Sequence, residues 1–175
     1  NTEPTWHYVP GIMALLVTVI SMLLTAFSLV KEKDMGTFEQ LMVTPINRLQ
    51  FIIGKITPFF LLTFIEISIS LLIIWLVYGI YVKGSILVLL LGSGLYLLSS
   101  LAIGMFVSII ARTQQQALFI AWFMMIFIIM MSGFLFPIEN MPNFLQNLAK
   151  LNPLLYFIQI LRGVIVKGAV LKEMI

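Results

Sequence analysis

The 175-residue sequence has no cysteine and a single histidine, His7. Without cysteine, neither a disulfide nor a thiolate metal site can form. With one imidazole near the chain start, a histidine-based metal site or an acid–base triad has no second member within the chain. Charge is scarce too. Asp, Glu, Lys and Arg make up 10% of residues, against about 25% in a soluble domain, so the chain cannot present an ordinary wet surface. There is no GxxxxGK[ST] loop, which excludes nucleotide binding by that route. The first apolar run has no basic flank and exceeds the roughly 7–15 residues of a signal-peptide core. The chain opens on Asn1 and stops at Lys172, Glu173, Met174 and Ile175 without a stop-transfer pattern. It is expected to be an internal fragment of a longer protein.

What is present is apolar. Hydrophobic residues make up 61% and the mean hydropathy is +1.11. A membrane-spanning helix needs roughly 20 mostly apolar residues to cross about 30 Å of hydrocarbon. Gly11 to Val30 carries no charge, Ile56 to Val82 only Glu66, and Gly84 to Ala111 and Ala117 to Ile138 none. Four spans follow, at about 11–30, 56–80, 85–110 and 117–136. A strand barrel is disfavoured, because its segments of about 10 residues alternate rather than being apolar all round. The expected fold is an all-α membrane protein, a polytopic transmembrane helix bundle with one domain over 1–175.

Lys and Arg in short loops set orientation. Lys31, Lys33, Arg48, Lys55 and Arg112 fall on one side. On the other, the short loops hold only Lys83. The rule thus puts residues 31–50 in the cytoplasm and both ends of the chain outside. The tail, with Lys150, Arg162, Lys167 and Lys172, would make the balance level.

The polar segment 31–50 has its own pattern. Gly36 can break the extension of the first span. Thr37 is a plausible N-cap for a short helix reaching about Val43. Phe38, Leu41 and Met42 recur at i, i+3 and i+4 and form one apolar face. Thr44 before Pro45 ends that helix, and a new one starts near Asn47. Two readings stand: an interfacial helix on lipid headgroups, or a rigid peg docking into a soluble subunit.

The stretch 137–168 is punctuated differently. Ser132, Gly133 and Pro137 interrupt a helix, and Pro142 interrupts again. Non-helical backbone at membrane depth survives only against protein or a water-filled cavity. Phe144, Leu145, Leu148 and Leu151 make an apolar stripe. Asn152 as N-cap and Pro153 at the first helical position open a further helix, with Leu154, Phe157, Ile158, Leu161 and Ile165 at helical spacing. Neither piece is long enough to span. They read either as helices lying in the interface or as a half-inserted hairpin.

Within the spans, Glu66 shares a face with Thr63 and Ser70. An intramembrane carboxylate is costly and is by default a functional candidate. It faces a substrate path or a proton, or else it is protonated and bonded to a neighbouring helix. Gly92, Ser100, Gly104 and Ser108 lie on one ridge, and small residues at that spacing let helices approach closely. Phe123, Met124, Met125, Phe127, Met130 and Met131 would suit an apolar or amphipathic cargo, since methionine adapts to varied shapes. For most of them lipid contact is the simpler reading.

The string EKDMGTFEQLMVTPINRLQFIIGKI resembles the cytoplasmic coupling segment of type 2 ABC transporter permeases, the membrane subunits of a class of bacterial exporters. The matching positions are Glu32, Gly36, Thr37, Glu39, Thr44, Pro45, Gly54 and Lys55. A second block, Ser132 to Gly168, is similar to the extracytoplasmic stretch of the same family, with two spans between the blocks as expected. The resemblance implies that Lys31 to Arg48 contacts a separate cytoplasmic ATPase subunit, with Phe38, Leu41 and Met42 as the apolar side of the joint and Glu39 as a polar contact. It implies that 137–168 is an extracytoplasmic re-entrant or interfacial helix pair, a gate carried by Gly133, Phe136, Pro137, Pro142, Asn152 and Pro153. It further implies a homodimer or heterodimer of permeases in the bacterial inner membrane. ATP and Mg²⁺ would sit on the partner ATPase, this chain having no cofactor and no catalytic residue of its own. Membrane lipid is an expected partner and nucleic acid is not. The alternative is a membrane scaffold or receptor whose cytoplasmic helix docks a non-ATPase partner. An intramembrane enzyme would need a nucleophile–base pair or metal ligands, and Glu66 stands alone among the spans.

Overall fold

The computed structural model of the chain describes residues 3–37, 47–79 and 84–167, and these hold six α-helices and no strand. The helices are α1 (Glu3–Asp34), α2 (Arg48–Tyr78), α3 (Ile86–Ile110), α4 (Gln114–Met130), α5 (Asn143–Ala149) and α6 (Pro153–Arg162). A single 3₁₀ turn, Ile138–Asn140, precedes α5, and a π turn, Gly163–Lys167, continues α6.

Three of these helices, over Tyr8–Asp34, Leu49–Val77 and Ile86–Ile110, are long and apolar enough to cross a membrane. The chain is therefore multi-pass. At 1.5 Å per residue, the 25 residues of α3 reach about 37 Å, beyond the roughly 30 Å of hydrocarbon. The helices α1 and α2 begin before the apolar runs that mark them, at residues 3 and 48 rather than 11 and 56. Apolar content marks the hydrocarbon and not the helix end. The fourth expected span, 117–136, is shorter in the structure, since α4 has 17 residues and stops at Met130. Gly133 then takes φ 72°, a left-handed conformation that glycine adopts without steric cost. The Ser132 hydroxyl turns back to the Ile129 carbonyl at 2.6 Å.

The bundle centres on α1, which packs on α2, α3, α4 and α6. Its buried stripe includes Met13, Ala14, Val17, Thr18, Ser21, Met22, Thr25, Ala26, Leu29 and Val30, the helical period that inward packing demands. The main partner is α3, and the two run parallel in a fixed register. Thr18 shares a hydrogen bond with Tyr96, and Ser21 with Ser100 at 2.6 Å. At Gly104 the helices nearly touch: a Cβ there would lie 2.7 Å from the Met22 carbonyl oxygen. The ridge Gly92, Ser100, Gly104 and Ser108 is buried throughout and packs inside this chain. The stem of α6 completes the core with Leu154, Phe157, Ile158, Leu161, Val164 and Ile165.

By contrast, α2 buries few side chains, among them Thr63, Ile67 and Ile74. Leu61, Leu62, Ile65, Ile69, Leu72, Ile73 and Leu76 point outward, a face suited to lipid.

Candidate functional site

At the charged end, α1 closes with a left-handed Gly36, φ 70°. The Gly36 amide donates to the Lys33 carbonyl at 3.1 Å, and the Met35 amide to that of Lys31 at 3.0 Å. Thr37 turns its hydroxyl back to the Glu32 carbonyl at 3.2 Å. Phe38, Glu39, Leu41, Met42, Thr44 and Pro45 lie outside the described residues, so the expected coupling helix has described flanks only. The chain resumes at Asn47, whose amide donates to the Gln50 side chain at 3.2 Å and opens α2.

Those flanks are fastened to the bundle by two lysines. The Lys55 ammonium on α2 pairs with the Glu32 carboxylate on α1 and also donates to the Ser28 hydroxyl at 3.1 Å. The Lys33 ammonium on α1 donates to the carbonyls of Ser108, Ile109 and Ala111, at 2.7, 3.0 and 3.3 Å. The last carbonyls of a helix lack intrahelical donors and carry partial negative charge. Lys33 therefore caps α3 from a neighbouring helix. Both sides of the 38–46 segment and the end of α3 form one fastened unit. Next to it, Thr113 caps α4 by accepting from the Gln116 amide at 3.3 Å.

At the opposite end the chain breaks between α5 and α6 by 74°. Asn152 sits in the break and is buried. Its side-chain oxygen accepts from the Leu154 amide at 3.0 Å, and its side-chain nitrogen donates to the Ile128 carbonyl on α4 at 2.7 Å. From there α6 runs antiparallel to α3. Phe157 stacks on Tyr96, Ile160 lies against Gly92, and the Val164 carbonyl accepts from the Gly84 amide at 3.0 Å. Tyr96 is ten residues into α3, so the start of α6 lies about 15 Å below the Gly84 end of the bundle. The helix rises out of the bundle interior rather than lying flat across it.

The other residues of this region have distinct places. Phe134 packs against Gly11 and meets Tyr8 edge-on with ring centroids 6.4 Å apart. Gly133 leaves room for Ile138. Phe136, Pro137 and Pro142 are exposed, and Pro153 is half-buried at the start of α6. Phe144 on α5 and Leu151 just beyond it face outward, while Ala149 is buried. The Phe/Met run on α4 divides: Phe123, Phe127 and Met130 are exposed, while Met125 and Met131 are buried.

Glu66 is half-buried on α2, and its Oε2 has no hydrogen-bond partner among the described residues. Thr63 is buried and donates to its own helix, at the Phe59 carbonyl, 2.6 Å. Ser70 is half-buried. Thr63 therefore offers its hydroxyl proton elsewhere, and the three residues make no shared hydrogen-bonded site. Among the described residues no cluster of three or more His, Cys, Asp or Glu could hold a metal.

Residues 2–166 match the family described as ABC-2 type transporter. The chain belongs to that family. Among its relatives are two probable multidrug ABC transporter permeases of Escherichia coli K12, YbhR, 35% identical over 97% of this chain, and YbhS, 32% identical over 93%. The inner membrane transport permease YhhJ of the same strain is 30% identical over 97%. The chain spans 46%, 44% and 46% of their respective lengths. No solved structure matches. Of the two blocks that carried the resemblance, 32–56 falls within the matched range and 132–168 does so up to residue 166. Sequence reasoning missed the hydroxyl seam of Thr18, Ser21 and Thr25 and the Lys33 cap. The seam was visible as three hydroxyls at i, i+3 and i+7 in an otherwise apolar run. The cap had no sequence signal, because its partners are backbone carbonyls about 75 residues away.

Proposed function

We propose that this ABC-2 chain is the membrane-spanning part of the permease subunit of an ATP-driven exporter. The observation that carries this reading is the family match, which covers nearly the whole chain and includes the segment between α1 and α2. That segment faces the cytoplasm and docks a separate ATPase subunit through Phe38, Glu39, Leu41 and Met42. That subunit holds ATP and Mg²⁺, and this chain hydrolyses nothing itself. Both ends of the chain then face away from the cytoplasm. Two permeases, identical or related, enclose the path in a bacterial inner membrane, as the Escherichia coli relatives suggest.

The fastening at the charged end gives coupling a physical route. A push on residues 38–46 meets α1 and α2 through the Glu32–Lys55 pair and α3 through Lys33. It moves these helices as rigid bodies rather than bending a loop. Since α3 carries Tyr96, and Tyr96 carries Phe157, the re-entrant α6 moves with them and gates the far end of the path. Names of the relatives point to multidrug transport, and the outward faces of α2 and α4 are apolar. An apolar or amphipathic small molecule is the cargo class that fits both.

The test is co-purification. Full-length protein and its Glu39→Ala/Met42→Ala variant are extracted in detergent, co-purifying proteins are identified and ATPase activity is assayed. A P-loop ATPase recovered with the native protein and lost with the variant supports the reading. If no ATPase accompanies either, the exporter reading is overturned and that segment serves a scaffold for some other partner.

A further inference from the structure

Between the charged ends of α1 and α2 lies a groove of about 370 Å³, lined by Ser28, Glu32, Gln50, Phe51, Gly54, Lys55, Pro58 and Phe59. Three of its features are unsatisfied or incomplete as polar chemistry. The Glu32 carboxylate spends one oxygen on Lys55, while Oε2 is buried with no hydrogen-bond partner among the described residues. The Lys55 ammonium has three donors, of which Glu32 and Ser28 take two. Pro58 has no amide proton, so the carbonyl of Gly54, four residues earlier, lacks its helical donor. Gly54 also has no side chain to cover that carbonyl, and a Cβ added there would meet nothing within 4 Å.

The groove thus offers two acceptors to a cation and one ammonium donor to an anion, with no net charge of its own. It opens on the sparsely buried α2, at the level where a spanning helix leaves hydrocarbon for headgroups. Its walls toward the span are apolar, formed by Phe59 and Pro58. We propose that it is a binding site for a phospholipid with a primary-amine zwitterionic headgroup, of the phosphoethanolamine type. The lipid ammonium donates to the Gly54 carbonyl and, once the Glu32 carboxylate turns to uncover it, to the buried Oε2; the phosphate accepts from Lys55, and an acyl chain lies along Phe59. A trimethylated headgroup has no N–H to give, and an anionic headgroup without an amine leaves Glu32 Oε2 without a donor. The site therefore selects among lipids by hydrogen bonding as well as by charge. This inference rests on the membrane-spanning fold and is independent of the ATPase docking proposed above.

The experiment is native mass spectrometry of the full-length protein, released from nanodiscs holding equal parts of phosphatidylethanolamine, phosphatidylcholine and phosphatidylglycerol. Retained phosphatidylethanolamine should exceed phosphatidylcholine by about tenfold, the ratio given by one hydrogen bond to a charged group. Gly54→Leu fills the groove without removing a polar contact and should abolish the preference, with the folded state checked by thermal melting. Glu32→Gln should reduce it. Equal retention of the three lipids, or a preference that survives Gly54→Leu in folded protein, overturns the proposal. Displacement of bound lipid by soluble glycerophosphoethanolamine at matched concentration would overturn the lipid assignment in favour of a soluble amine phosphate.

Discussion

Phe157 lies flat on Tyr96, with ring centroids 4.2 Å apart and planes within 6°, and this stack joins α6 to the hydroxyl seam of the bundle. Both rings are buried, and the Tyr96 hydroxyl continues the link to Thr18 on α1. Phe157→Ala leaves a ring-sized void and should destabilise the fold by about 3–5 kcal/mol. Tyr96→Phe keeps the stack and loses the hydroxyl's hydrogen bonding to Thr18 and Ser100, costing about 1 kcal/mol. Thermal unfolding of the full-length protein in one detergent ranks the two. Equal losses would mean that the stack contributes no more than the hydroxyl's hydrogen bonding.

Two glycines on spanning helices should respond in opposite directions. A methyl group at Gly104 would stand 2.7 Å from the Met22 carbonyl oxygen and 2.9 Å from Thr25 Cβ, whereas at Gly54 it meets nothing within 4 Å. The backbone of α1 cannot yield locally, so Gly104→Ala pushes α1 from α3 and should cost about 1–3 kcal/mol. Gly54→Ala gains helix propensity and should stabilise by up to about 1 kcal/mol. The same melting series tests both, and a tolerated Gly104→Ala would contradict the close helix approach.

How far the fold was legible depended on which physical property each element used. Long runs with no charge, or with Glu66 alone, marked α1, α2 and α3, because hydrocarbon thickness imposes length. The apolar run continued through Phe134, Leu135 and Phe136, so the end of α4 was overshot. A left-handed Gly133 ends that helix, and backbone conformation outweighs hydropathy there. Asn152 and Pro153 declared the start of α6 as cap and first position, and the spacing of Leu154, Phe157, Ile158, Leu161 and Ile165 marked its buried face. The stripe over residues 144–151 was equally periodic, yet Phe144 and Leu151 are exposed. Periodicity reports an apolar face without naming what covers it. Glu66 was conspicuous as a lone charge, but its position relative to other helices had no sequence signature.

Asn152 performs two tasks that substitution can separate. Its oxygen caps α6 at the Leu154 amide and its nitrogen holds the Ile128 carbonyl. Asn152→Ser keeps a capping oxygen and loses the tie to α4, so about 1 kcal/mol should be lost. Asn152→Ala loses both, and the missing cap adds about 1 kcal/mol more. Hydrogen exchange of the first turn of α6 should rise strongly for Ala and weakly for Ser. Matching exchange in the two variants would show that the cap contributes nothing there.

Lys33 provides the sharpest test of transmission from the charged end. It donates to three carbonyls at the end of α3 from a side chain on α1, so its removal frees α3 without touching residues 38–46. Lys33→Met should cost about 1 kcal/mol, the scale of a cation at a helix C-terminus. If the cap carries the stroke, it should also lower transport by more than it lowers ATP hydrolysis in the assembled full-length transporter. Lys33→Arg keeps a cation and multiple donors and should restore most of both. The comparison needs transport and hydrolysis measured on the same reconstituted preparation. Equal loss of the two activities, with no rescue by arginine, would reduce Lys33 to a structural cap and leave the Glu32–Lys55 pair as the route between α1 and α2.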